Sequence, residues 1–294
     1  MSAGVSPDIT VVEVGPRDGL QNEKRIMPTE AKLAMIALLR AARLPRLEIT
    51  AFVSPKWVPQ MADHDAVLRA TPAADGLIRS VLVPNERGAL SALAIGVDEL
   101  AIFTSASETF AQKNINCSIG ESIARFEPVA ELARRHGVRL RGYVSCSVEC
   151  PFEGAIAPAA AAAVAGELAQ LGCIEISLAD TIGRATPGGV DTMLSAVLAR
   201  LSPERLACHF HDTFGHALDN VDVALRHGIR VFDSAIGGLG GCPYAPGAAG
   251  NLSTMPLVMH LEQRGFSTGT DIEAMAQAQA FAMRLRSETA RIPA

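Results

Sequence analysis

The stretch Cys208-His209-Phe210-His211-Asp212 holds the most chemistry for its length. Leu206, Ala207, Cys208 and Phe210 make it a short apolar run, the pattern of a buried strand. Side chains two apart on a strand share a face, so His209 and His211 aim two imidazoles at one spot from backbone positions about 7 Å apart. Two neutral imidazoles so placed form half of a metal site. The alternative is one buried structural histidine beside one polar residue facing solvent. Another candidate ligand lies in Glu13-Val14-Gly15-Pro16-Arg17-Asp18-Gly19-Leu20-Gln21. Asp18 could complete a site with the two histidines, and Arg17 could hold a carboxylate or an incipient oxyanion. On a continuous strand these neighbours would face apart. Gly15-Pro16 and Gly19 predict a turn that brings both inward; a surface turn closed by an Arg–Asp ion pair is the alternative.

Further polar groups stand where strands should end. Glu48, between Leu47 and Ile49, is a carboxylate inside an apolar strand and needs a partner there. It could orient water or substrate, or form a structural ion pair. Asp180 joins the same cluster or caps the segment that follows. Asn251 offers either a neutral oxygen ligand or a helix cap. Gly237-Gly238-Leu239-Gly240-Gly241-Cys242 is a glycine-rich loop with a thiol near its tip, suited to proton transfer beside a ligand, or inert. Lys24 and Lys113 are either phosphate contacts or solvated surface lysines.

These candidates need a scaffold that gathers strand ends. Strand-like segments start at Ile9, Leu47, Ile78, Glu99, Arg139, Cys173, Leu206 and Val231. Helical periodicity fills most of the gaps, notably 28–43, 85–95, 118–136, 158–172, 187–201 and 216–227. Strict alternation implies right-handed parallel crossovers and an α/β fold, a closed (β/α)8 TIM barrel over about residues 8–250, with additional C-terminal helices over about 251–294. No Gly-x-Gly-x-x-Gly follows the first strand, which weakens a doubly wound sheet. No Pro/Ser-rich linker divides the chain, so residues 1–294 are expected to form one domain. In a barrel of this type the active site lies at the C-terminal ends of the strands, where the candidates above fall.

Composition narrows the class. The chain has 294 residues, 49% hydrophobic and 19% charged, with a net charge of −5 and no basic run, which argues against nucleic acid as a partner. No apolar stretch approaches membrane-spanning length. Met1-Ser2-Ala3-Gly4 carries neither signal nor transit features, so a soluble cytoplasmic protein is expected. The six cysteines are scattered among apolar residues and read as reduced thiols, mostly buried.

Together, VEVGPRDGLQNEK (12–24), FVSPKWVPQM (52–61), KNINCS (113–118), RGYVSC (141–146), EISLADTIG (175–183), HFHDT (209–213) and GLGGCPY (238–244) resemble the 3-hydroxy-3-methylglutaryl-CoA lyase family. That family belongs to a metal-dependent barrel superfamily that also holds Claisen-type synthases. The resemblance implies a divalent cation, Mg²⁺ or Mn²⁺, on Asp18, His209, His211 and Asn251. It implies Arg17 as the group that binds the acyl substrate and stabilises enolate charge, and Cys242 as a catalytic thiol on a mobile loop. Glu48 and Asp180 become supporting acids with Glu13 behind them, and Gln21, Lys24 and Lys113 join Arg17 as substrate-binding candidates. A homodimer acting on an acyl-CoA thioester is expected, with leucine degradation as the setting. Met255 and Pro256 replace the Glu-Asp usual in the family, and Ala51 replaces a Ser. Met255 and Pro256 motivate one alternative, a lyase for a bulkier 3-hydroxy-3-substituted glutaryl-CoA; the superfamily supplies another, a Claisen-type condensing synthase.

Overall fold

β-branched and apolar runs at regular intervals close on themselves. The structure, a computed structural model, describes residues 7–23, 25–240 and 250–290. β1 (Thr10–Glu13), β2 (Arg46–Ala51), β3 (Ile78–Leu82), β4 (Glu99–Ser105), β5 (Arg139–Ser145), β8 (Glu175–Asp180), β9 (Leu206–Phe210) and β10 (Val231–Ser234) pair in parallel in that order, and β10 pairs back to β1. This is the closed barrel expected from the alternation. The short strands β6 (Glu149–Cys150) and β7 (Gly154–Ala155) form an added antiparallel hairpin.

Helices α1 (Thr29–Ala41), α3 (Glu86–Ile95), α5 (Ile119–His136), α6 (Pro158–Leu171), α7 (Pro187–Leu198) and α8 (Ala217–Arg226) lie where periodicity placed them. Their ends have local causes. Asn85 accepts the Gly88 amide, Ser118 and Glu121 form a reciprocal capping box, and Pro158 occupies the first turn of α6. Two short helices escaped the sequence reading, α2 (His64–Ala70) and α4 (Glu108–Ile115). At seven and eight residues they are too short for a periodic signal. The expected C-terminal helices are α9 (Thr254–Gln263) and α10 (Ile272–Ala290), and α10 packs against α1.

Leu, Ile, Val and Ala side chains between barrel and helices make the main apolar core. The barrel lumen differs, because arginines and carboxylates fill it. Arg46 pairs with Glu99 and Glu175, and Arg141 pairs with Glu175 and Asp233. All five are buried. Cys117, Cys146, Cys150, Cys173 and Cys208 are free and buried, as expected. Among the described residues no helix is long and apolar enough to cross a membrane.

Candidate active site

The two imidazoles stand at the C-terminal end of β9. His209 lies within the strand and His211 just beyond it, both nearly buried, their ring centroids 5.3 Å apart. Asp18 reaches them from the far end of the sequence. After β1 the backbone enters a single π-helical turn, Gly15–Gly19, whose wide winding aims both Arg17 and Asp18 inward. A strand would have sent one of them outward, so the inward turn expected from Gly15-Pro16 and Gly19 is observed. A Cβ at position 15 would sit 2.5 Å from Glu13 Oε1, so any larger residue there would have to displace that carboxylate.

Ligating atoms of Asp18, His209 and His211 all lie within 4.8 Å of one another. Asn251 completes the group. It bridges to His211 through an isolated antiparallel pair and donates from Nδ2 to Asp18 Oδ2 at 2.7 Å. Among the described residues, two buried atoms here have no hydrogen-bond partner, His211 Nδ1 and Asn251 Oδ1. A buried acceptor left unpaired costs about 1–3 kcal/mol. One carboxylate, two imidazoles and an amide oxygen make a donor set suited to a divalent cation, which would satisfy both orphans. The residues therefore fit the metal expected at this place. Burial, reinforced by His209, pushes the His211 pKa down to about 4, so its ring is neutral and its lone pair available. Burial opposes ionisation of Asp18, but Arg17 and the imidazoles outweigh it and hold that carboxyl at about 2.

Arg17 is the second anchor. Its guanidinium donates to Asp18 Oδ1 at 2.6 Å and to Glu48 Oε2 at 2.8 Å. Glu48 Oε2 also accepts from Tyr143 Oη at 3.2 Å, while Glu48 Oε1 is a further buried acceptor without a partner among the described residues. Burial raises the Glu48 pKa against the pull of Arg17. Gln21 Nε2 donates to Asp18 Oδ1 at 3.0 Å, which places Gln21 beside the cluster.

The other candidates make contacts of their own. Asp180, at the end of β8, accepts the Arg184 and Ala185 amides on its two oxygens, which closes the turn that follows the strand. Burial lifts its pKa to about 6. Glu13 Oε1 accepts the Gly15 and Ile236 amides, and Glu13 Oε2 accepts from Thr254 Oγ1. It ties together the segments that carry Asp18, the glycine-rich loop and Asn251. Lys113 is exposed on α4, its ammonium 4.2 Å from the centre of the Phe152 ring. Lys24 and Cys242 lie outside the described residues.

Sequence reasoning missed Asp233, Arg141 and Tyr143. Arg141 joins Asp233 to Tyr143, and these in turn contact His209 and Glu48. The signal was present, since Asp233 is a carboxylate in an apolar strand, as Glu48 is.

A closed parallel barrel with an Asp–His–His–Asn cluster and a buried arginine at its mouth is the architecture of a barrel enzyme with a candidate metal site. The chain belongs to the HMGL-like family, whose model matches residues 8–282. It is 52% identical to the mitochondrial hydroxymethylglutaryl-CoA lyase of Bos taurus, over 95% of this chain and 86% of that protein. Among solved structures it is similar to the HMG-CoA lyase of Brucella melitensis, with a TM-score of 0.94 and 51% identity, covering 96% of this chain and 100% of that one. It is also similar to an HMG-CoA lyase of Acenitobacter baumannii in complex with coenzyme A and 3-methylmalate, with a TM-score of 0.87 and 39% identity over 92% and 88% of the two chains.

Proposed function

We propose that this chain is a carbon–carbon lyase that cleaves 3-hydroxy-3-methylglutaryl-CoA to acetyl-CoA and acetoacetate, with a divalent cation, Mg²⁺ or Mn²⁺, as cofactor. Membership of the HMGL-like family and about 50% identity to such lyases support the reaction. The observation that carries the site is the convergence of Asp18, His209 and His211 beside two orphaned buried acceptors.

Asp18, His209, His211 and Asn251 would hold the cation, which supplies Lewis acidity toward the 3-hydroxyl and a carboxylate oxygen of the substrate. Glu48 Oε1 is assigned to accept the hydroxyl proton, directly or through water. Breaking C2–C3 releases acetoacetate and leaves the enolate of acetyl-CoA. Arg17, oriented by Glu48 and Asp18, stabilises that charge. Cys242 Sγ delivers a proton to the enolate carbon, a role that rests on its position in the sequence. Gln21, Lys24 and Lys113 are assigned to substrate and Asp180 to support of the site. We further infer a homodimer, a single domain over 1–294 and a cytoplasmic location. Light scattering, limited proteolysis and cell fractionation test these in turn.

The deciding experiment incubates the purified chain with the thioester and Mn²⁺ and identifies the products. Acetoacetate and acetyl-CoA are expected, and a chelator should abolish them. Running a bulkier 3-substituted glutaryl-CoA in parallel tests the substrate, since a strong preference for it in kcat/KM would overturn the methyl assignment. Condensation of acetyl-CoA with a 2-oxo acid at comparable rates would overturn the lyase.

A further inference from the structure

We propose that Asp233 is a positioning residue for the metal centre, fixing His209 in the tautomer that carries its proton on Nδ1 and presents Nε2 to the cation. The inference rests on the metal-centre reading above and adds a residue to it.

β9 and β10 are parallel neighbours, and their register sets Asp233 directly beside His209. Asp233 Oδ2 lies 3.2 Å from His209 Nδ1. An ionised carboxylate only accepts, so the shared proton belongs to Nδ1 and the Nε2 lone pair is left free. Asp233 is itself held on every side. Its Oδ1 accepts from Arg141 Nη2 at 2.7 Å, and its Oδ2 accepts from Arg141 Nη1 at 3.2 Å and from Ser177 Oγ at 2.9 Å. Arg141 is pinned in turn by Glu175 Oε1 at 2.7 Å and donates to Tyr143 Oη at 2.5 Å. The Tyr143 ring meets the His209 ring edge-on at 6.2 Å.

Arg141 and Asp233 already satisfy each other through two parallel N–H donors. The added contact from Asp233 to an imidazole is what gives the pair work at the site. It distinguishes the two histidines, since His209 is clamped from behind while His211 Nδ1 has no partner among the described residues. A carboxylate behind a ligating histidine fixes ring and tautomer and raises ligand basicity, and its loss typically weakens metal binding about 10–100-fold.

The test measures Mn²⁺ affinity by titration calorimetry for wild type, Asp233→Asn, His209→Ala and the double variant, with the melting temperature of each metal-free protein as a second readout. Asp233→Asn should bind Mn²⁺ about 10–100-fold more weakly. It should add nothing to the loss already caused by His209→Ala. A Kd within about twofold of wild type, or an equal further loss in the double variant, overturns the role whatever happens to melting. Should Asp233→Asn fail to fold, the ¹⁵N shifts of His209 in metal-free wild type, read with the ring neutral, decide: the Nδ1–H tautomer supports the proposal and the Nε2–H tautomer overturns it. Failure of wild type itself to bind Mn²⁺ would instead overturn the metal-centre reading, and this one with it.

Discussion

His211 shows how little a residue needs in order to be chemical. Its ring is buried, neutral near pH 7, and has one nitrogen with no hydrogen-bond partner among the described residues. His211→Ala should weaken Mn²⁺ binding by more than about 100-fold and remove most turnover, which calorimetry and a product assay will read. Cys242→Ala should separate the two functions. Mn²⁺ affinity stays near wild type, while kcat falls about 10²–10⁴-fold if the thiol carries a proton. Normal turnover in that variant would make Cys242 a bystander. The histidines were legible because strand periodicity is local, needing only residues 206–211. Asn251 was harder, because its partner Asp18 is 233 positions away and nothing in the local sequence names it. Asp233 and Arg141 were legible in principle by a looser form of the rule that flagged Glu48, a charge next to an apolar residue inside a strand. Which charges meet which depends on barrel register, and composition does not encode that.

Among the elements, the π-helical turn after β1 and the segment around Asn251 depend on one buried carboxyl. Glu13 holds both, and burial raises its pKa from 4.5 to about 7. The folded state therefore binds this proton more tightly than the unfolded chain does. Stability from this group is full below pH 4.5 and is lost as pH rises toward 7, by at most about 3 kcal/mol. In Glu13→Gln the amide oxygen can accept both backbone N–H groups while its NH₂ donates to Thr254. This variant should match wild type near pH 5 and exceed it near pH 8 in denaturant midpoint. A midpoint that falls in parallel for both proteins would show that Glu13 is not the group titrating. Gly240 is a second control point. Its φ is +93°, and a Cβ there would lie 2.6 Å from Asn251 Nδ2. Gly240→Ala should displace Asn251 and weaken Mn²⁺ binding, with little change in the helical circular dichroism signal. Strand positions and those of the longer helices up to α8 were readable from apolar spacing to within a few residues. The register shift in β2 between Glu48 and Thr50 was not, because it follows from pairing with β3.

For the whole molecule, the lumen sets the terms. Glu48, Glu99, Glu175, Asp233 and Asp18 face Arg17, Arg46 and Arg141, with Arg139 reaching Glu99 from the rim. Four of these carboxylates are matched by four guanidiniums, and the one in excess, Asp18, is the carboxylate of the cation-ready cluster itself. Mn²⁺ at 100 times its Kd should stabilise the fold by about 2.7 kcal/mol, and chelation should lower Tm by several degrees. An unchanged Tm would place the cation outside the folded core. A lumen built of ions also governs how this chain can drift. Deleting one partner strands another's charge in a dry interior, at about 3–5 kcal/mol, whereas exchanging a whole pair for apolar bulk is often tolerated. Mutational paths through the barrel must then move in matched steps. In a saturation library selected for folding, single changes at Arg46, Glu99, Arg141 or Glu175 should vanish, and survivors there should carry companions across the lumen.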